Sequence, residues 1–312
     1  MIPLYISMNK IDWNNIEVID YIDYKSNEID NLPIGVSIST MCASCNLKTS
    51  LNIINIEKYL ELSHDDILCV KMNDEKIRTL IPKKKSKRES AKKIKKINHF
   101  YNQITVVIRI GHGDVDDWNI EPKINLKLFK NGSIQMSGCK SLKSINTVIN
   151  KLIYKLKEVK AKIEDNKFIE KHYVEDASLL GIQRFKVDMI NSNYKINMQI
   201  DRDKLFSLLL KKKIKSSFEP CIRACVIIKY TPINDNIDQK DISIFIFQKG
   251  NIIITGARNK NNILSSYEYV NNILYIHSNE ISKNNEKEED NLIMFLYNDL
   301  LKEEKLGLIS LS

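Results

Sequence analysis

An internal repeat limits the possible folds of this chain more than any other feature of its sequence. Residues 124–140 and residues 242–258 align without a gap at an offset of 118 positions, and Phe129 aligns with Phe247. The alignment continues into the segments that follow, where apolar residues recur at three-and-four spacing in both copies. The sequence therefore predicts one supersecondary unit that is formed twice.

The first copy shows which unit this is. Ile124, Leu126 and Leu128 alternate with residues of other types, which is the period of a strand. Lys130-Asn131-Gly132 then predicts a three-residue hairpin loop, with glycine at the left-handed position. A return strand, a break at Ser137-Gly138 and an amphipathic helix follow. Each copy is therefore predicted to be a strand, hairpin, strand and helix.

The alternation also predicts which side chains share a face. The three aliphatic residues of the first strand should pack against the helix, so Phe129 should point to the opposite, open face of the sheet. A large aromatic residue on that face in both copies indicates a binding surface. The alternative is a second layer, formed by one end of the chain, that covers this face. The side chains predicted on the open face are Phe129, Gln135, Ser137, Phe245, Phe247, Ile253 and Thr255.

The positive charge of the chain is concentrated in one segment. The chain has 48 Lys and Arg and 39 Asp and Glu, and residues 76–96 contain eleven of the basic residues and one Glu. The remainder therefore has 37 basic and 38 acidic residues (48 − 11 and 39 − 1). A loop that contacts phosphates is one interpretation. A solvated run of charge or a nuclear localisation signal is the other.

Several classes of function are not supported by the sequence. No apolar run approaches the roughly 18 residues of a membrane span, and the N-terminus does not resemble a secretory signal, so we expect an intracellular protein. The six cysteines should then be reduced, buried thiols, and Cys42 and Cys45 lack a second pair that would complete a metal site. No catalytic or nucleotide-binding motif is present. We therefore predict no enzyme, no cofactor and no metal.

Four short motifs connect this pattern to a known family. Asn46-Leu-Lys-Thr49, predicted to open a helix, resembles DLKT, and Ser216-Ser-Phe-Glu-Pro220 resembles SSYEP, both motifs of the TATA-box-binding protein (TBP) family. Phe247–Gly250 resembles FxSG of that family, and Thr255–Arg258 resembles TGAK. In both copies the order of elements is strand, helix, four strands and helix. The resemblance covers about residues 32–278. Ile, Asn and Lys, whose codons are rich in A and T, are frequent, and the sequence has diverged strongly from the family. Both features suggest a large DNA virus as the source.

The resemblance implies an α+β fold. Two tandem TBP-like repeats would form a curved antiparallel β-sheet, the saddle, with helices on its convex face. The implied segments are an N-terminal extension at 1–31, repeat 1 at 32–160, a linker at 161–182, repeat 2 at 183–278 and a C-terminal extension at 279–312. Repeat 1 would carry a basic insertion at 74–102, in the loop called the stirrup, and an acidic loop insertion at 111–121.

The resemblance also implies binding to A/T-rich promoter DNA through the minor groove, with aromatic wedges that kink the duplex. Phe129 and Phe247 match the second wedge of each pair, whereas Gln103 and Arg223 occupy the positions of the first, so we expect a shallower bend. Lys127 and Gln135 replace apolar groove residues. The implied DNA-binding set is Val36, Arg109, Lys127, Phe129, Gln135, Ser137, Asn191, Arg223, Lys229, Phe245, Phe247, Ile253 and Thr255.

The remaining expectations concern phosphates and partners. By resemblance, Glu219 would contact an initiation factor of TFIIB type, and the chain would work with the RNA polymerase machinery in a nucleus or a cytoplasmic viral factory. The alternative function is a protein-interaction module of an initiation complex that no longer bends DNA. The stirrup residues expected to contact phosphates are Lys83, Lys84, Lys85, Lys87, Arg88, Lys92 and Lys93.

Overall fold

The computed structural model describes residues 18–73, 76–82, 102–111, 122–164, 167–232 and 240–283. The seven stirrup residues expected to contact phosphates lie outside these ranges, as does most of the acidic loop insertion. The chain divides into two compact units. Unit 1 comprises residues up to 193 together with 254–265, and unit 2 comprises 194–253 and the residues from 266 onward.

Six helices and thirteen strands occur in the described ranges. The helices are α1 (Tyr21–Ser26), α2 (Ile53–Tyr59), α3 (Leu142–Lys157), α4 (Arg202–Lys211), α5 (Lys260–Ile276) and α6 (Ser278–Ile281). The strands are β1 (Ser37–Asn46), β2 (Ile67–Lys71), β3 (Ile77–Thr79), β4 (Gln103–Arg109), β5 (Lys123–Phe129), β6 (Ser133–Cys139), β7 (Lys160–Glu164), β8 (Lys167–Lys171), β9 (Gln183–Lys195), β10 (Ser216–Ser217), β11 (Cys225–Tyr230), β12 (Ile242–Phe247) and β13 (Asn251–Ala257).

Each unit contains an antiparallel sheet, and β7 and β8 form a separate antiparallel hairpin. In unit 1 the strand order is β9-β1-β6-β5-β4-β2-β3, and each neighbouring pair is antiparallel. In unit 2 the order is β10-β11-β12, again antiparallel, and β13 follows β12. The predicted α+β class with a large antiparallel sheet is confirmed, whereas its curvature into a saddle stays a prediction.

The predicted duplication is also confirmed at the level of elements. The first copy runs β1-α2-β2-β3-β4-β5-β6-α3, and the second runs β9-α4-β10-β11-β12-β13-α5. The second copy therefore has the expected strand, helix, four strands and helix, although β10 contains two residues only. The first copy has one strand more, because β3 forms inside the basic segment.

The core of unit 1 lies between the sheet and its helices. Ile124, Leu126 and Leu128 are fully buried, as the alternation predicted. Helix α3 packs on β4 and β6, and it begins with a capping box between Ser141 and Ser144. Asn125, Lys127 and Phe129 consequently point away from α3, so the predicted assignment of faces is correct.

Two local predictions were wrong. Asn46 ends β1 and does not open a helix: its side chain accepts from the Lys48 amide at 2.9 Å and donates to the Asn131 carbonyl at 3.1 Å. Helix α2 begins only at Ile53, with Asn52 as its N-cap. The return strand also does not break at Ser137-Gly138, because Gly138 takes a φ of +88° and β6 continues to Cys139.

The described part of the N-terminal extension packs on the helical side of unit 1. Ile19 is buried, and the amides of Val18 and Ile19 donate to Asn146 Oδ1 of α3 at 3.0 and 3.4 Å. Residues 18–31 therefore do not supply the covering layer that the alternative interpretation requires. No helix in the described ranges is long and apolar enough to cross a membrane.

Candidate nucleic-acid interface

The open face of unit 1, on the side of the sheet away from α3, carries a continuous polar row. Lys127 on β5 lies directly opposite Gln135 on β6, and Gln135 lies opposite Ser44 on β1. The row extends to Thr105 on β4 at one end and to Lys186 on β9 at the other. Side chains that face each other across a ladder are about 5 Å apart, so these five groups form one hydrogen-bonding surface.

A shallow concavity of about 420 Å³ lies on this surface. It is lined by Ser44, Lys127, Gln135, Lys186 and Asp188, among others. Lys186 and Asp188 form an ion pair at 3.4 Å. The concavity therefore offers both cationic donors and carboxylate or amide acceptors.

Cys42 and Ser137 line the same concavity from β1 and β6, where they are direct cross-strand neighbours. Burial raises the pKa of the Cys42 thiol, and the nearby Asp188 carboxylate raises it further. The thiol is therefore neutral at physiological pH and adds no negative charge to this face.

The open face of unit 2 has a different chemical character. Phe245 lies opposite Ile227, and Phe247 lies opposite Cys225, across the β11–β12 ladder. Ile227 and Cys225 are buried, while both phenylalanines are half-buried. This face is mostly apolar and aromatic at the positions where unit 1 carries its polar row.

Phe129 and Phe247 occupy equivalent positions in the two hairpins. Each is the last residue of its strand before a three-residue loop, and each is half-buried on the open face. Glycines close both loops: Gly132 and Gly250 have φ of +79° and +77° and donate to the carbonyls of Phe129 and Phe247 at 2.9 and 3.0 Å. The aromatic side chains are thus held by rigid, hydrogen-bonded turns.

A comparison with known proteins finds a relative that is similar enough to identify the family of this chain. A protein named "TATA-box-binding protein-like" from Acanthamoeba polyphaga mimivirus is 34% identical to this chain over 287 residues, which are 85% of this chain and 72% of the relative. This chain belongs to the TBP-like family. Among solved structures, the TBP of Methanococcus jannaschii gives a TM-score of 0.44 at 14% identity, and the match covers 75% of this chain and 95% of that one. No family model matches the sequence.

The sheet register corrects the alignment of the two TBP-like repeats. Gln103 lies opposite Phe129, and Cys225 lies opposite Phe247. The counterpart of Gln103 is therefore Cys225, and not Arg223 as the ungapped alignment implied. Arg223 lies before β11 in an exposed turn, where its amide donates to the Glu219 carbonyl at 2.8 Å. Neither repeat carries an aromatic residue at the position next to its phenylalanine.

Arg109 does not lie where the family resemblance implied. It is 3% exposed, and its guanidinium donates through Nη1 to the His64 carbonyl at 3.1 Å. The fully buried Lys151 of α3 donates to the carbonyls of Asp65 and Arg109 at 2.7 and 3.2 Å. The loop at 63–66 thus closes over the end of β4, so Arg109 stabilises this loop and is withdrawn from the surface.

By resemblance, Arg109 and Lys229 would form a pair of basic residues near the DNA backbone, but the register places Lys229 at a different position in its repeat. Lys229 lies opposite Ser243, and Val107 lies opposite Asn125. Since Ser243 corresponds to Asn125 at the offset of 118, the counterpart of Lys229 in repeat 1 is Val107. Lys229 is exposed and donates to Ser243 Oγ at 2.7 Å. It remains available on the open face of unit 2, but it does not form a symmetric pair with Arg109.

The other DNA-binding residues implied by the family lie on strands of the open face or next to them. Lys127, Gln135 and Ser137 are exposed, and Val36 is half-buried just before β1. Asn191 on β9 is half-buried, and its Oδ1 accepts no hydrogen bond from the residues that the structure describes. In repeat 2, the half-buried side chains Ile253 and Thr255 alternate with the fully buried Ile252 and Ile254.

Sequence reasoning missed the contribution of β1 to this face and, apart from Asn191, that of β9. Cys42, Ser44, Lys186 and Asp188 line the concavity but were not in the predicted set. The signal for β1 was present, because small polar residues alternate with buried ones from Met41 to Asn46. It was overlooked because the apolar alternation was interpreted as a strand over Gly35–Thr40 only, whereas β1 continues to Asn46.

The cysteines follow the prediction in part. Cys45, Cys69, Cys139 and Cys225 are buried free thiols, and burial raises the pKa of Cys45 and Cys139 to about 12. Cys221, however, is exposed, because it lies in the turn that follows Pro220. This exposed thiol follows the SSYEP-like motif Ser216–Pro220, which the family resemblance assigns to the stirrup of repeat 2.

The stirrup of repeat 2 is anchored from within. Phe218 packs edge-on against Phe206 of α4 at 6.0 Å between ring centroids, and Arg202 lies over the same ring at 5.4 Å. The Glu219 carbonyl accepts from the amides of Ile222 and Arg223, which leaves the carboxylate exposed. Glu219 is therefore placed on an ordered turn where a partner protein has access to it.

Proposed function

We propose that this chain is a TBP-like transcription initiation factor that binds A/T-rich promoter DNA in the minor groove through the open face of its sheet. The observation that carries the proposal is the duplicated aromatic position. Phe129 and Phe247 stand at the same hairpin corner of two repeats, on the face away from α3 in the first repeat. An apolar side chain held on a rigid strand is suited to insert between base steps.

The basic segment supports the same proposal. Of its eleven basic residues, Lys76 and Arg78 lie in the described ranges, and the other nine lie at 83–96. The segment follows β2 and includes β3. By resemblance it corresponds to the stirrup of repeat 1. Contacts to about six phosphates would lower log K with log salt at a slope near −5.

The number of aromatic side chains that can insert between base steps determines how strongly the DNA is expected to bend. Gln103 and Cys225 stand next to the two phenylalanines, so one aromatic side chain per repeat would insert. Unstacking a base step costs a few kcal/mol, and the bend follows from such insertions. We therefore propose a shallower bend than two wedges per repeat would produce.

We further propose a protein partner for the stirrup of repeat 2. The exposed Glu219 carboxylate on its anchored turn would contact an initiation factor of TFIIB type, which would link the DNA complex to the RNA polymerase machinery. Such a complex would assemble in a nucleus or in a cytoplasmic viral factory.

One observation favours a second function. The polar row with Lys127 and Gln135 at its centre differs from the apolar surface that an opened minor groove contacts. A protein-interaction module of an initiation complex, without groove-specific bending, would account for this row. The duplicated hairpin corners and the basic segment would then have no stated role.

The deciding experiment is a fluorescence-anisotropy titration of the full chain on A/T-rich and G/C-rich duplexes. We expect the A/T-rich duplex to bind more tightly. The Phe129→Ala/Phe247→Ala protein should lose at least roughly thirtyfold in affinity, because stacking of each aromatic side chain on a base contributes about 1–3 kcal/mol.

Phe168→Ala is the matched control. Phe168 on β8 is 80% exposed and belongs to the separate β7–β8 hairpin, so its removal should leave DNA affinity unchanged. Absence of binding to every duplex, or equal affinity of the double variant and the parent protein, would overturn the groove-binding proposal and favour the interaction module.

A further inference from the structure

The two repeats present different chemistry at matching positions of the open face. Lys127 and Gln135 of repeat 1 correspond, at the offset of 118, to Phe245 and Ile253 of repeat 2. Lys127 and Gln135 are exposed and directly opposite each other, whereas Phe245 and Ile253 are half-buried. A DNA site that contacts both faces would therefore meet a hydrogen-bonding surface at one end and an apolar surface at the other.

The minor groove distinguishes base pairs by one group. A·T and T·A present only the acceptors adenine N3 and thymine O2, whereas G·C adds the guanine N2 amino donor. An apolar surface such as Phe245 and Ile253 leaves that donor without a partner, and an unpartnered buried donor is unfavourable. A surface that supplies an acceptor removes this cost.

The concavity of repeat 1 supplies acceptors and donors together. The Gln135 amide has an acceptor oxygen and two N–H donors, and Lys127 has three donors. Asp188 adds a carboxylate in the same concavity, held by Lys186 at 3.4 Å. The hydroxyls of Ser44 and Ser137 also line it and both donate and accept. This set matches the mixed donor and acceptor edge of a G·C pair.

We propose that the chain recognises an asymmetric DNA site, in which repeat 1 accepts G·C pairs and repeat 2 requires A·T pairs. Gln135 and Asp188 accept from the guanine amino group, and Lys127 donates to the neighbouring N3 or O2 acceptors. The difference between the two faces also sets the direction in which the protein lies on its site. This inference rests on the proposed minor-groove function.

The test uses the full chain and an A/T-only duplex into which a single G·C pair is introduced at each position in turn. Anisotropy competition at constant salt gives one affinity per duplex. We expect G·C pairs in one half of the site to change the affinity less than about twofold. Pairs in the other half should weaken binding roughly tenfold, which is the usual cost of a wrong pair.

The exchange variant Gln135→Ile/Ile253→Gln tests the assignment of residues. It moves the amide to the matching position of repeat 2 without changing the composition of the chain, and we expect the tolerance for G·C to move to the other half of the site. A DNA-cleaving reagent attached to the exposed Cys221 identifies the half bound by repeat 2, and Cys221→Ser is its control.

The outcomes separate this inference from the function on which it rests. Equal penalties in both halves, or an exchange variant with the parent pattern, would overturn the asymmetric readout while A/T-rich binding persists. If no duplex binds at all, the proposed function fails together with this inference.

Discussion

Single residues decide the geometry of the two hairpins that carry the candidate interface. Gly132 and Gly250 lie in the left-handed region, and each packs so closely on a neighbouring strand end that an added Cβ would overlap backbone carbonyls. A Cβ at position 132 would overlap the Thr49 carbonyl, and a Cβ at position 250 would overlap the carbonyls of Ile196 and Met198. Both hairpin loops are therefore locked onto the turn that follows the first strand of their own repeat.

A pair of alanine substitutions separates backbone strain from steric overlap. Gly35→Ala should cost about 1–2 kcal/mol in the free energy of unfolding, because Gly35 has a φ of +86° but no atom lies within 4 Å of an added Cβ. Gly132→Ala should cost at least about 2 kcal/mol more, because the new methyl group overlaps the Thr49 carbonyl. Chemical denaturation measures both, and equal losses would show that overlap at Gly132 is relieved by a small shift of the backbone.

At the scale of elements, charge in this chain serves structure as well as binding. Arg78 on β3 belongs to the basic segment, yet its Nε and Nη2 donate to the carbonyls of Glu57 and Ile56 at 2.7 and 3.1 Å. Both carbonyls belong to the last turn of α2, and the Ile56 carbonyl also accepts from the Leu60 amide at 3.3 Å. Arg78 thus joins the short edge strand β3 to α2.

Replacement of Arg78 should therefore affect folding more than DNA binding. We expect Arg78→Gln to lower the free energy of unfolding by about 1–3 kcal/mol, because two charge-assisted hydrogen bonds are lost. The salt dependence of DNA binding should stay the same, since this guanidinium faces protein carbonyls. Thermal melts and anisotropy titrations on one preparation provide the two readouts, and a reduced salt slope would assign Arg78 to the phosphate contacts instead.

At the scale of the whole molecule, the distribution of charge matters more than its sum. The net charge is +9, but residues 76–96 account for a net of +10 (eleven basic residues and one Glu), so the rest is close to neutral. A localised cationic segment would add salt-dependent affinity without sequence preference. Sequence preference would then come from the sheet.

Two triple variants with the same charge change test this division. Neutralising Lys83, Lys84 and Lys85 to Gln should lower the magnitude of the salt slope by up to about 3, because each contacted phosphate contributes about 0.9. Neutralising Lys211, Lys212 and Lys213, which are exposed at the end of α4, also lowers the net charge by three but should leave the slope unchanged. Equal effects of the two variants would show that total charge, and not the stirrup, governs binding.

The sequence by itself determined the duplication, the strand periods, the hairpin glycines and the face on which Phe129 and Phe247 lie. These features depend on local periodicity and on turn chemistry, which are readable along the chain. Family membership was also within reach, because the four motifs follow the order of the family and the order of elements is duplicated.

Only the tertiary structure decided which side chains are neighbours across strands. Ser44 and Lys186 lie far in sequence from the hairpin that carries Lys127 and Gln135, and the hydrogen-bond ladder places all four in one row. The same ladder makes Cys225 the counterpart of Gln103, because loop lengths differ between the copies and ungapped counting cannot detect this. By alternation along β4, Arg109 belongs to the open face, but the loop at 63–66 packs over the end of the strand and buries its side chain. Periodicity sets the direction of a side chain, and packing sets what that side chain contacts.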